Sequence, residues 1–597
     1  MANFVAAVDP DPIRRAGYVA RVAPSLELLS DREFGRCTSG DFSAVWAAAP
    51  RAPVSALADD ETADIVWGDA FAPQGRVVDS VRLRREWAAV SARLPDAWNG
   101  FHAAVHYAGR SRAVVAGADL FGLFPVYYWT NSEVLLVASS IESFRAHPAF
   151  RPAINPVGIA GVLLTGGLLD GDTVWAGVRR LPPGTLLAWS PGARARELRQ
   201  YSIPTAELSG GSFDEHVSMI DEALDAAVAG HLNGAGRAGL LLSGGRDSRV
   251  VGGVLHRHAI PTHALTLGEA RDHEVQCATP VARRLGFQHT VMRDPLDDVE
   301  EMVRRHLRVE HLSNGLANFY TWGMVPLLGS LGERVLSGYC IEDYIGGTGR
   351  ALPGVAADNA FERVRRKAFS YGIEPQLLRR LLRPDVFGAA LDECEDRFRA
   401  QYLAGPADAD RSALELDMLH RGRHHAGSTP WRMSQAAWPA MPAIDQSFIK
   451  TCAALPSATV MGRRAEDELL RTRFPALARL PLDRNSNRLE PLLPSAAWRF
   501  RQRVAERMPL ALRQRVRGWR GERRRYYRLY DINSPAWRIV RRMAESKRHR
   551  VTDALDEATL ASLLPSPDSP IELREPITES NGLKALLGFM IWWGENV

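Results

Sequence analysis

The segment GLLLSGGRDS (239–248) carries the clearest chemical pattern in the chain. Its leucines predict a buried strand, its serine and glycines predict a sharp turn, and a helix is expected to begin near Asp247. Glycines let a backbone approach a ligand closely, and a helix N-terminus presents free N–H groups to an anion. The alternative is a plain strand–turn–helix corner capped by Asp247. We favour a phosphate-binding loop, in which Mg²⁺ would explain a carboxylate beside phosphates.

A second segment, LSGYCIEDYIGG (336–347), places Glu342 and Asp343 between glycines. Carboxylate oxygens are the ligands that Mg²⁺ prefers. Taken alone, such an acidic pair favours a solvated loop. With the glycine turn at 243–248 upstream, it indicates a metal site shared with Asp247. Either carboxylate of the pair remains a candidate ligand.

Alternating strands and helices are predicted around these two segments. A helix is expected to begin at Ser212 or Asp214, and the segments 263–269 and 289–293 predict strands on either side of a helix over 273–286. This alternation is typical of a doubly wound parallel sheet.

The rest of the chain differs in pattern on either side of this region. Short apolar or alternating runs separated by turns dominate the N-terminal part and predict packed sheets, whereas the chain beyond about residue 355 is predicted to be mostly helical. We therefore predict a first domain over 1–205, a second over 206–498, and a basic, mainly helical C-terminal extension over 499–597.

Composition excludes several classes of protein. The chain has 597 residues, of which 46% are hydrophobic and 24% charged, and its net charge is +5. These values are typical of a globular protein with more than one domain. Five cysteines without a CxxC pair argue against a disulfide framework or a zinc site. The N-terminus does not resemble a secretory signal, and no run approaches the roughly 18 to 20 apolar residues of a membrane helix. A reducing cytoplasm and no membrane partner are expected.

The motif SGGxDS is the signature of the ATP pyrophosphatase, or PP-loop, superfamily, and SGGRDS matches it completely. The segment 336–347 resembles the second acidic motif of asparagine synthetases. The segments GADLFGLFPVYYW (117–129), VASSIESF (137–144) and LPPG (181–184) resemble N-terminal motifs of the same family, and MPAID (441–445) resembles a later one. The chain is thus similar to asparagine synthetase-like enzymes, in patches, to about residue 490.

The resemblance implies an α/β protein with an N-terminal Ntn-hydrolase-like αββα sandwich of the glutaminase type. A doubly wound, parallel-sheet PP-loop domain with helical additions follows it. ATP and Mg²⁺ are the implied cofactors, with cleavage of ATP to AMP and pyrophosphate and transfer of AMP to a substrate oxygen. The implied ATP-binding residues are Leu241, Ser243, Gly244, Gly245, Asp247, Ser248, Thr266, Leu267 and Gly338, and the implied metal ligands are Asp247, Glu342 and Asp343.

The chain departs from the family at two functional positions. The glutaminase domain of the family uses an N-terminal cysteine as nucleophile and base, but here position 2 is Ala2, so glutamine hydrolysis is not expected. The family also has a lysine that stabilises the acyl-adenylate, and Ser486 stands in its place. Arg484 or Arg488 are candidates for that positive charge, because a guanidinium binds phosphate well. The alternative is that both are surface arginines.

Tyr339 provides a further indication. Asparagine synthetases have glutamate at this position, whereas β-lactam synthetases, which also lack the cysteine, have a tyrosine that deprotonates an attacking amine together with a glutamate. The resemblance implies the same role for Tyr339, with Glu374 as a candidate partner. The alternative for Glu374 is a solvated side chain on a helical segment.

Two cysteine-less branches fit these features: β-lactam synthetases and lasso-peptide cyclases, which join the N-terminal amine of a peptide to an internal Asp or Glu side chain. The opening FVAAVDPD is similar to that of actinobacterial cyclases. The basic segment 499–550, with interleaved aromatic residues, would suit a peptide substrate or a protein partner. We expect a cyclase that acts on a precursor peptide, with a leader peptidase and a leader-recognition protein as partners.

Three further alternatives are open. The first is a glutamine-independent asparagine synthetase-like enzyme, which would share the motifs. A tRNA-modifying PP-loop enzyme would hold RNA through its basic tail. Such enzymes usually carry SGGxDS near the N-terminus, so nucleic acid is not the expected partner. A non-catalytic scaffold would explain the missing cysteine and lysine, but the complete SGGRDS argues against it.

Overall fold

The N-terminal part of the chain forms two antiparallel sheets in the computed structural model, which describes residues 2–73, 75–88, 94–204, 209–294, 296–316, 318–347, 357–405, 409–484, 489–507, 525–574 and 578–597. The strands are β1 (Ala2–Val8), β2 (Glu33–Ser39), β3 (Phe42–Ala48), β4 (Val54–Ala58), β5 (Thr62–Phe71), β6 (Asn99–Ala108), β7 (Ala113–Ala118), β8 (Tyr127–Thr130), β9 (Leu135–Ala138), β10 (Arg179–Arg180), β11 (Thr185–Trp189) and β12 (Arg196–Arg199). One sheet has the order β10-β8-β9-β1-β3-β2, and the other has the order β12-β11-β7-β6-β5-β4.

The two sheets pack face to face through large aromatic residues. Phe4 of β1 stacks on Trp67 of β5 with ring centroids 3.9 Å apart, and both side chains are fully buried. Helix α1 (Pro12–Val22) packs against β3, and helix α2 (Ser80–Trp87) packs against β5. The αββα sandwich expected for this part is confirmed.

The following part is built on a parallel sheet of five strands. Its strands are β13 (Ala238–Leu241), β14 (Thr262–Leu267), β15 (Gln288–Met292), β17 (Arg334–Leu336) and β18 (Trp438–Ala440), in the order β15-β14-β13-β17-β18; a separate short strand is β16 (Ser313–Leu316). The chain runs outward in both directions from β13, which confirms the doubly wound arrangement. In such sheets, ligands bind at the carboxyl ends of the strands where the order reverses.

Helices connect these strands and make up most of the remaining chain. They are α3 (Pro156–Thr165), α4 (Phe213–Leu232), α5 (Asp247–Arg257), α6 (His273–Leu285), α7 (Val299–Glu310), α8 (Val325–Leu328), α9 (Ala357–Phe369), α10 (Pro375–Leu381), α11 (Pro384–Phe387), α12 (Ala390–Ala404), α13 (Ala409–Asp417), α14 (Ser428–Met433), α15 (Gln446–Ala453), α16 (Ser457–Val460), α17 (Arg464–Arg473), α18 (Pro475–Ala478), α19 (Ala496–Arg507), α20 (Arg525–Tyr530), α21 (Pro535–Glu545), α22 (Arg548–Val551), α23 (Glu557–Leu563) and α24 (Thr578–Asn596). Within the described ranges, every helix is too short or too polar to span a lipid bilayer.

Helix α4 begins where the sequence predicted. Ser212 is its N-cap: the Ser212 side chain accepts from the Glu215 backbone N–H, and the Glu215 carboxylate accepts from the Ser212 backbone N–H at 2.6 Å. This reciprocal capping box satisfies backbone donors that the first helical turn leaves open. The helix then leads into β13 and the glycine turn.

The described part of the C-terminal segment packs into the body of the protein. Trp592 of α24 lies 5.1 Å from Trp175 of the N-terminal part, measured between ring centroids, and its indole N–H donates to His311. Tyr530 and Trp537 are buried, and the Lys584 ammonium group lies over both rings. Tyr530 and Trp537 belong to the segment 499–550, whose aromatic residues were expected to suit a substrate or partner, but their burial in the core removes these two from that role. Trp519 and the side chains of Tyr526 and Tyr527 lie outside the described residues.

Candidate active site

The SGGRDS segment forms a tight loop between β13 and α5. The Ser243 backbone N–H donates to Ser248 Oγ at 2.9 Å, and the Gly245 backbone N–H donates to Ser243 Oγ at 3.2 Å. Helix α5 begins at Asp247. The predicted strand–turn–helix arrangement is therefore present, and it places the helix N-terminus where an anion would be stabilised.

A segment from much later in the chain holds this loop in position. The Asp483 backbone N–H donates to the Gly244 carbonyl oxygen at 3.0 Å. Arg249, which is fully buried, donates to the carbonyl oxygens of Leu477 and Pro481. Burial lowers the pKa of Arg249 to about 10. The loop is thus braced from its outer side by α18 and the segment that follows it.

Asp247 and Glu342 converge on one guanidinium group, that of Arg463. Arg463 Nη1 lies 3.7 Å from Asp247 Oδ2 and 3.1 Å from Glu466 Oε2, and Nη2 contacts the Glu342 carboxylate. Asp343 faces another set of charges, of which those of Asp417, Arg421 and Lys367 act on it most strongly. Of the two acidic residues in the second motif, Glu342 is therefore the one that approaches Asp247.

The chemistry of these carboxylates fits a divalent cation. Asp247 Oδ1 and Glu466 Oε1 are buried and accept from no N–H group in the described part of the chain, and the two carboxyl groups lie close enough to share a proton. Burial raises the pKa of Asp247, and burial together with the Asp247 charge raises that of Glu466, so additional positive charge would be favourable here. The described residues contain no group of three or more His, Cys, Asp or Glu side chains that could hold a metal ion. Asp247 and Glu342 would therefore hold Mg²⁺ together with phosphate oxygens.

A cavity of about 620 Å³ lies at the carboxyl ends of the central strands and contains most of the predicted site. Thr266 Oγ1 in its wall donates to the Leu242 carbonyl oxygen at 2.7 Å, which links β14 to the loop. Gly244 and Gly245 belong to the same loop without forming part of the wall. The predicted residues that line the cavity are Leu241, Ser243, Asp247, Ser248, Thr266, Leu267, Gly338, Tyr339, Glu342 and Asp343.

Tyr339 and Glu374 do not meet. Tyr339 lines the cavity and its hydroxyl group is hydrogen-bonded to the side chain of Thr429, while burial raises its pKa. Glu374 is the exposed N-cap of α10, where its carboxylate accepts from the Leu377 backbone N–H at 2.9 Å, and it is absent from the cavity wall. The proposed pairing of these two residues is not supported by their positions.

Of the two candidate replacements for the family lysine, Arg484 lies away from the cavity wall. Arg484 donates to the Pro491 carbonyl oxygen at 3.2 Å and does not line the cavity. Arg488 and Ser486 lie outside the described residues. Neither arginine is therefore placed at the site by the structure.

Several residues of the site carried no clear signal in the sequence. Arg463 lies in the run MGRRAED, where nothing distinguishes it from other arginines of an arginine-rich chain. Lys367 could have been noticed, because it is one of four lysines in the chain; its ammonium group pairs with Asp417 at 2.9 Å. The cavity residues that the sequence did not indicate include Lys367, Tyr371, Arg421, His425 and Arg525.

The position of the family's nucleophilic cysteine lies in strand β1 of the N-terminal sheets. Ala2 is the first residue of β1 and pairs with Ala48 of β3. Trp46 of β3 packs edge-on against Trp67, with ring centroids 5.9 Å apart. Cys37 is buried, and burial raises its pKa to about 11. A reactive thiolate is therefore not available from Cys37.

Two family models match the chain. The asparagine synthase model matches residues 219–575, more than half of the chain and continuing well beyond residue 498. The glutamine amidotransferase domain model matches residues 81–202. Both matches agree with the two folds described above.

Individual relatives are distant. Asparagine synthetase [glutamine-hydrolyzing] 3 from Bacillus subtilis (strain 168) is 23% identical over 164 residues, which cover 27% of this chain and 26% of that protein. Solved structures with similar parts include glutamine phosphoribosylpyrophosphate amidotransferase from B. subtilis complexed with ADP and GMP (8% identity, 49% of this chain, 65% of that chain, TM-score 0.22) and NMN synthetase from Francisella tularensis (17% identity, 36% of this chain, 96% of that chain, TM-score 0.18). These TM-scores are too low to support an argument.

The extent of the asparagine synthase match, together with the glycine loop and the acidic residues in one cavity, establishes the family. Its members are ATP-dependent amide-forming ligases. The chain belongs to the asparagine synthase family.

Proposed function

We propose that this chain is a cyclase that adenylates an Asp or Glu side chain of a peptide and joins it to the N-terminal amine of the same peptide. The proposal is supported by the cavity at the glycine loop of one domain together with the missing cysteine of the other. Asp247, Gly338 and Tyr339 line one cavity beside the SGG loop, whereas position 2 of the glutaminase-like domain is alanine. The chain retains the residues for activating a carboxylate and lacks the thiol for releasing ammonia.

The proposed reaction has two steps. A carboxylate oxygen of the substrate attacks the α-phosphorus of ATP, and the bond to pyrophosphate breaks. The amine then attacks the acyl carbon, AMP leaves with its oxygen, and the amine proton passes to a base near Tyr339. The loop N–H groups would bind the pyrophosphate, and a Mg²⁺ ion held by Asp247 and Glu342 would neutralise its charge.

The cavity has the size of a small-molecule site and continues past the glycine loop. Small-molecule sites are typically about 300–1,000 Å³, and this cavity of about 620 Å³ extends from the loop to Lys367, Tyr371 and Arg421. The opening FVAAVDPD, which is similar to that of lasso-peptide cyclases, favours a precursor peptide. A leader peptidase and a leader-recognition protein would then be partners.

Pyrophosphate release by the purified protein tests the proposal. The assay would supply Mg²⁺·ATP with a precursor peptide, with a small β-amino acid, with aspartate and ammonia, or with tRNA. Pyrophosphate released only with the peptide, together with loss of one water from the peptide mass, is expected. Release that depends on another substrate would replace the proposal with that activity, and no release with any of them would favour a scaffold.

A further inference from the structure

Arg525 brings the C-terminal segment to the wall of the nucleotide cavity. It is the first described residue of α20 and lines the same cavity as Thr266 and Leu267. Its Nε donates to Asp294 Oδ1 at 2.5 Å, and its Nη1 lies 4.0 Å from Glu274 Oε2. The two carboxylates fix the guanidinium group in place.

The guanidinium group lies at the carboxyl end of β14. A Cβ atom on Gly268, the residue after β14, would be 3.5 Å from Arg525 Cδ. The Tyr320 ring lies on another side, with its centroid 5.8 Å from the guanidinium carbon. Leu241, Leu265 and Met324 give the neighbouring cavity wall an apolar character that suits a base and a ribose better than phosphates.

One donor of this arginine has no acceptor. Nη2 of Arg525 is buried, and within the described ranges it has no hydrogen-bond partner. Although burial lowers the pKa of Arg525, Glu274 and Asp294 raise it above its ordinary value, so the group remains charged. A buried charged donor without an acceptor is costly, and a ligand in the cavity would supply the missing acceptor.

We propose that Arg525 is a nucleotide-binding residue that donates through Nη2 to the adenosine part of ATP. This inference rests on the ATP site of the proposed function. It assigns to the basic C-terminal segment a direct part in that site. Arg525 acts as a binding residue here, and Asp294 positions it.

The inference also links nucleotide binding to the order of the C-terminal segment. Helix α20 ends at Tyr530, which is buried beneath Lys584 of α24. A nucleotide that engages Arg525 should therefore slow amide hydrogen exchange in α20 and in the start of α21.

Arg525→Ala tests the contact, with Arg542→Ala as the matched control. Arg542 belongs to the same segment but pairs with Asp568 on the surface, where its side chain is 59% exposed. Calorimetric titration would give the Kd of Mg²⁺·ATP and of Mg²⁺·pyrophosphate for each variant. Loss of a charged hydrogen bond should weaken ATP binding about 10- to 100-fold. Pyrophosphate binding should stay unchanged in Arg525→Ala, and both affinities should stay unchanged in Arg542→Ala.

Two further variants keep the test decisive if Arg525→Ala does not fold. Arg525→Lys keeps the charge but loses the planar donor fork, and Asp294→Asn weakens the contact that positions it; both should weaken ATP binding to a smaller degree. Unchanged ATP affinity in folded Arg525 variants, or equal losses for ATP and pyrophosphate, would overturn the inference. A wild-type protein that binds no ATP would instead refute the proposed function. Amide hydrogen exchange gives a second readout. ATP should slow exchange in α20 of the wild type, and this protection should be lost in Arg525→Ala.

Discussion

Gly338 packs directly against Asp247, so that a Cβ atom on Gly338 would lie 2.6 Å from the Asp247 Cβ atom. The same added atom would lie 2.6 Å from the Ser248 backbone nitrogen. This separation is well below van der Waals contact. The loop after β17 can therefore approach the start of α5 only because residue 338 is a glycine and has no side chain. The contact brings Glu342 within reach of the guanidinium group that also contacts Asp247.

Gly338→Ala should therefore disturb the site while leaving the fold intact. We expect pyrophosphate release to fall about 100-fold, because displacement of positioned groups by about 1 Å has that effect. Gly230→Ala is the control: an added Cβ there meets nothing within 4 Å in α4. Pyrophosphate release by both variants, with circular dichroism for folding, is the measurement. Normal release by Gly338→Ala would show that the close packing is not needed for activity.

Asp247→Ala should abolish pyrophosphate release and product formation. Adenylyl transfer depends on neutralising phosphate charge with a metal ion, and Asp247 is the carboxylate of the glycine loop. The thermal midpoint should not fall, because the substitution removes a buried carboxyl group whose pKa is raised by burial. Chelation of Mg²⁺ should inactivate the wild type in the same way. Asp214→Ala, on the exposed surface of α4, is the control and should be fully active. Turnover by Asp247→Ala would remove the pyrophosphate-loop interpretation.

Tyr339→Phe should separate the two half-reactions. Adenylation needs no base, because the substrate carboxylate is already ionised, so pyrophosphate release should remain largely intact. Amide formation should slow roughly 100- to 10,000-fold if the phenol relays the amine proton. Burial raises the pKa of Tyr339, so it can relay a proton only together with an acceptor. Pyrophosphate and cyclised product are measured side by side, and equal losses in both would reject the base role.

Glu374→Gln tests the partner that the sequence suggested. Its carboxylate accepts from the Leu377 backbone N–H as a helix cap and does not line the cavity. We expect the ratio of product to pyrophosphate to match that of the wild type. A ratio as low as that of Tyr339→Phe would require the two residues to meet during the reaction.

The protein should not release glutamate from glutamine at any pH. Ala2 supplies no thiol, and burial raises the pKa of Cys37 to about 11. Glutamate is measured with and without ATP and peptide, using a glutamine-hydrolysing amidotransferase as the positive control. Glutamine hydrolysis coupled to substrate would restore an amidotransferase function.

The free energy of unfolding should decrease below pH 6.5. Burial lowers the pKa of His102 to about 3, and that of His306 and His420 to about 4. Between these values and 6.5, the unfolded chain takes up protons that the folded chain excludes, so each histidine removes up to about 1.4 kcal/mol per pH unit as the pH falls. Denaturant titrations at several pH values measure the slope. His306→Gln should make the free energy of unfolding depend less steeply on pH, whereas His549→Gln, at an exposed position, should not change that slope. Equal slopes in the wild type and both variants would show that buried histidines do not cause the pH dependence.

The sequence determined those parts of the molecule whose signals are local. The strand–glycine turn–helix at 239–257, the start of α4 at Ser212 or Asp214 and the alternation of strands and helices up to β15 could be predicted. Each depends on the order of a few neighbouring residues: apolar runs, glycines and capping side chains. The two acidic motifs could also be expected to meet, because the carboxyl ends of adjacent parallel strands lie at one edge of a sheet.

Tertiary structure decided which charged residues belong to the site. Arg463 and Arg525 resemble many other arginines in the sequence. Only tertiary packing brings Arg463 to the Asp247 carboxylate and Arg525 to the cavity wall. The same packing leaves Glu374 at a helix cap and buries Tyr530 and Trp537, which composition alone suggested were available for binding. The physical reason is that contacts between segments far apart in the chain depend on how the helices pack on the sheet. A residue's type and its immediate neighbours do not determine how those helices pack.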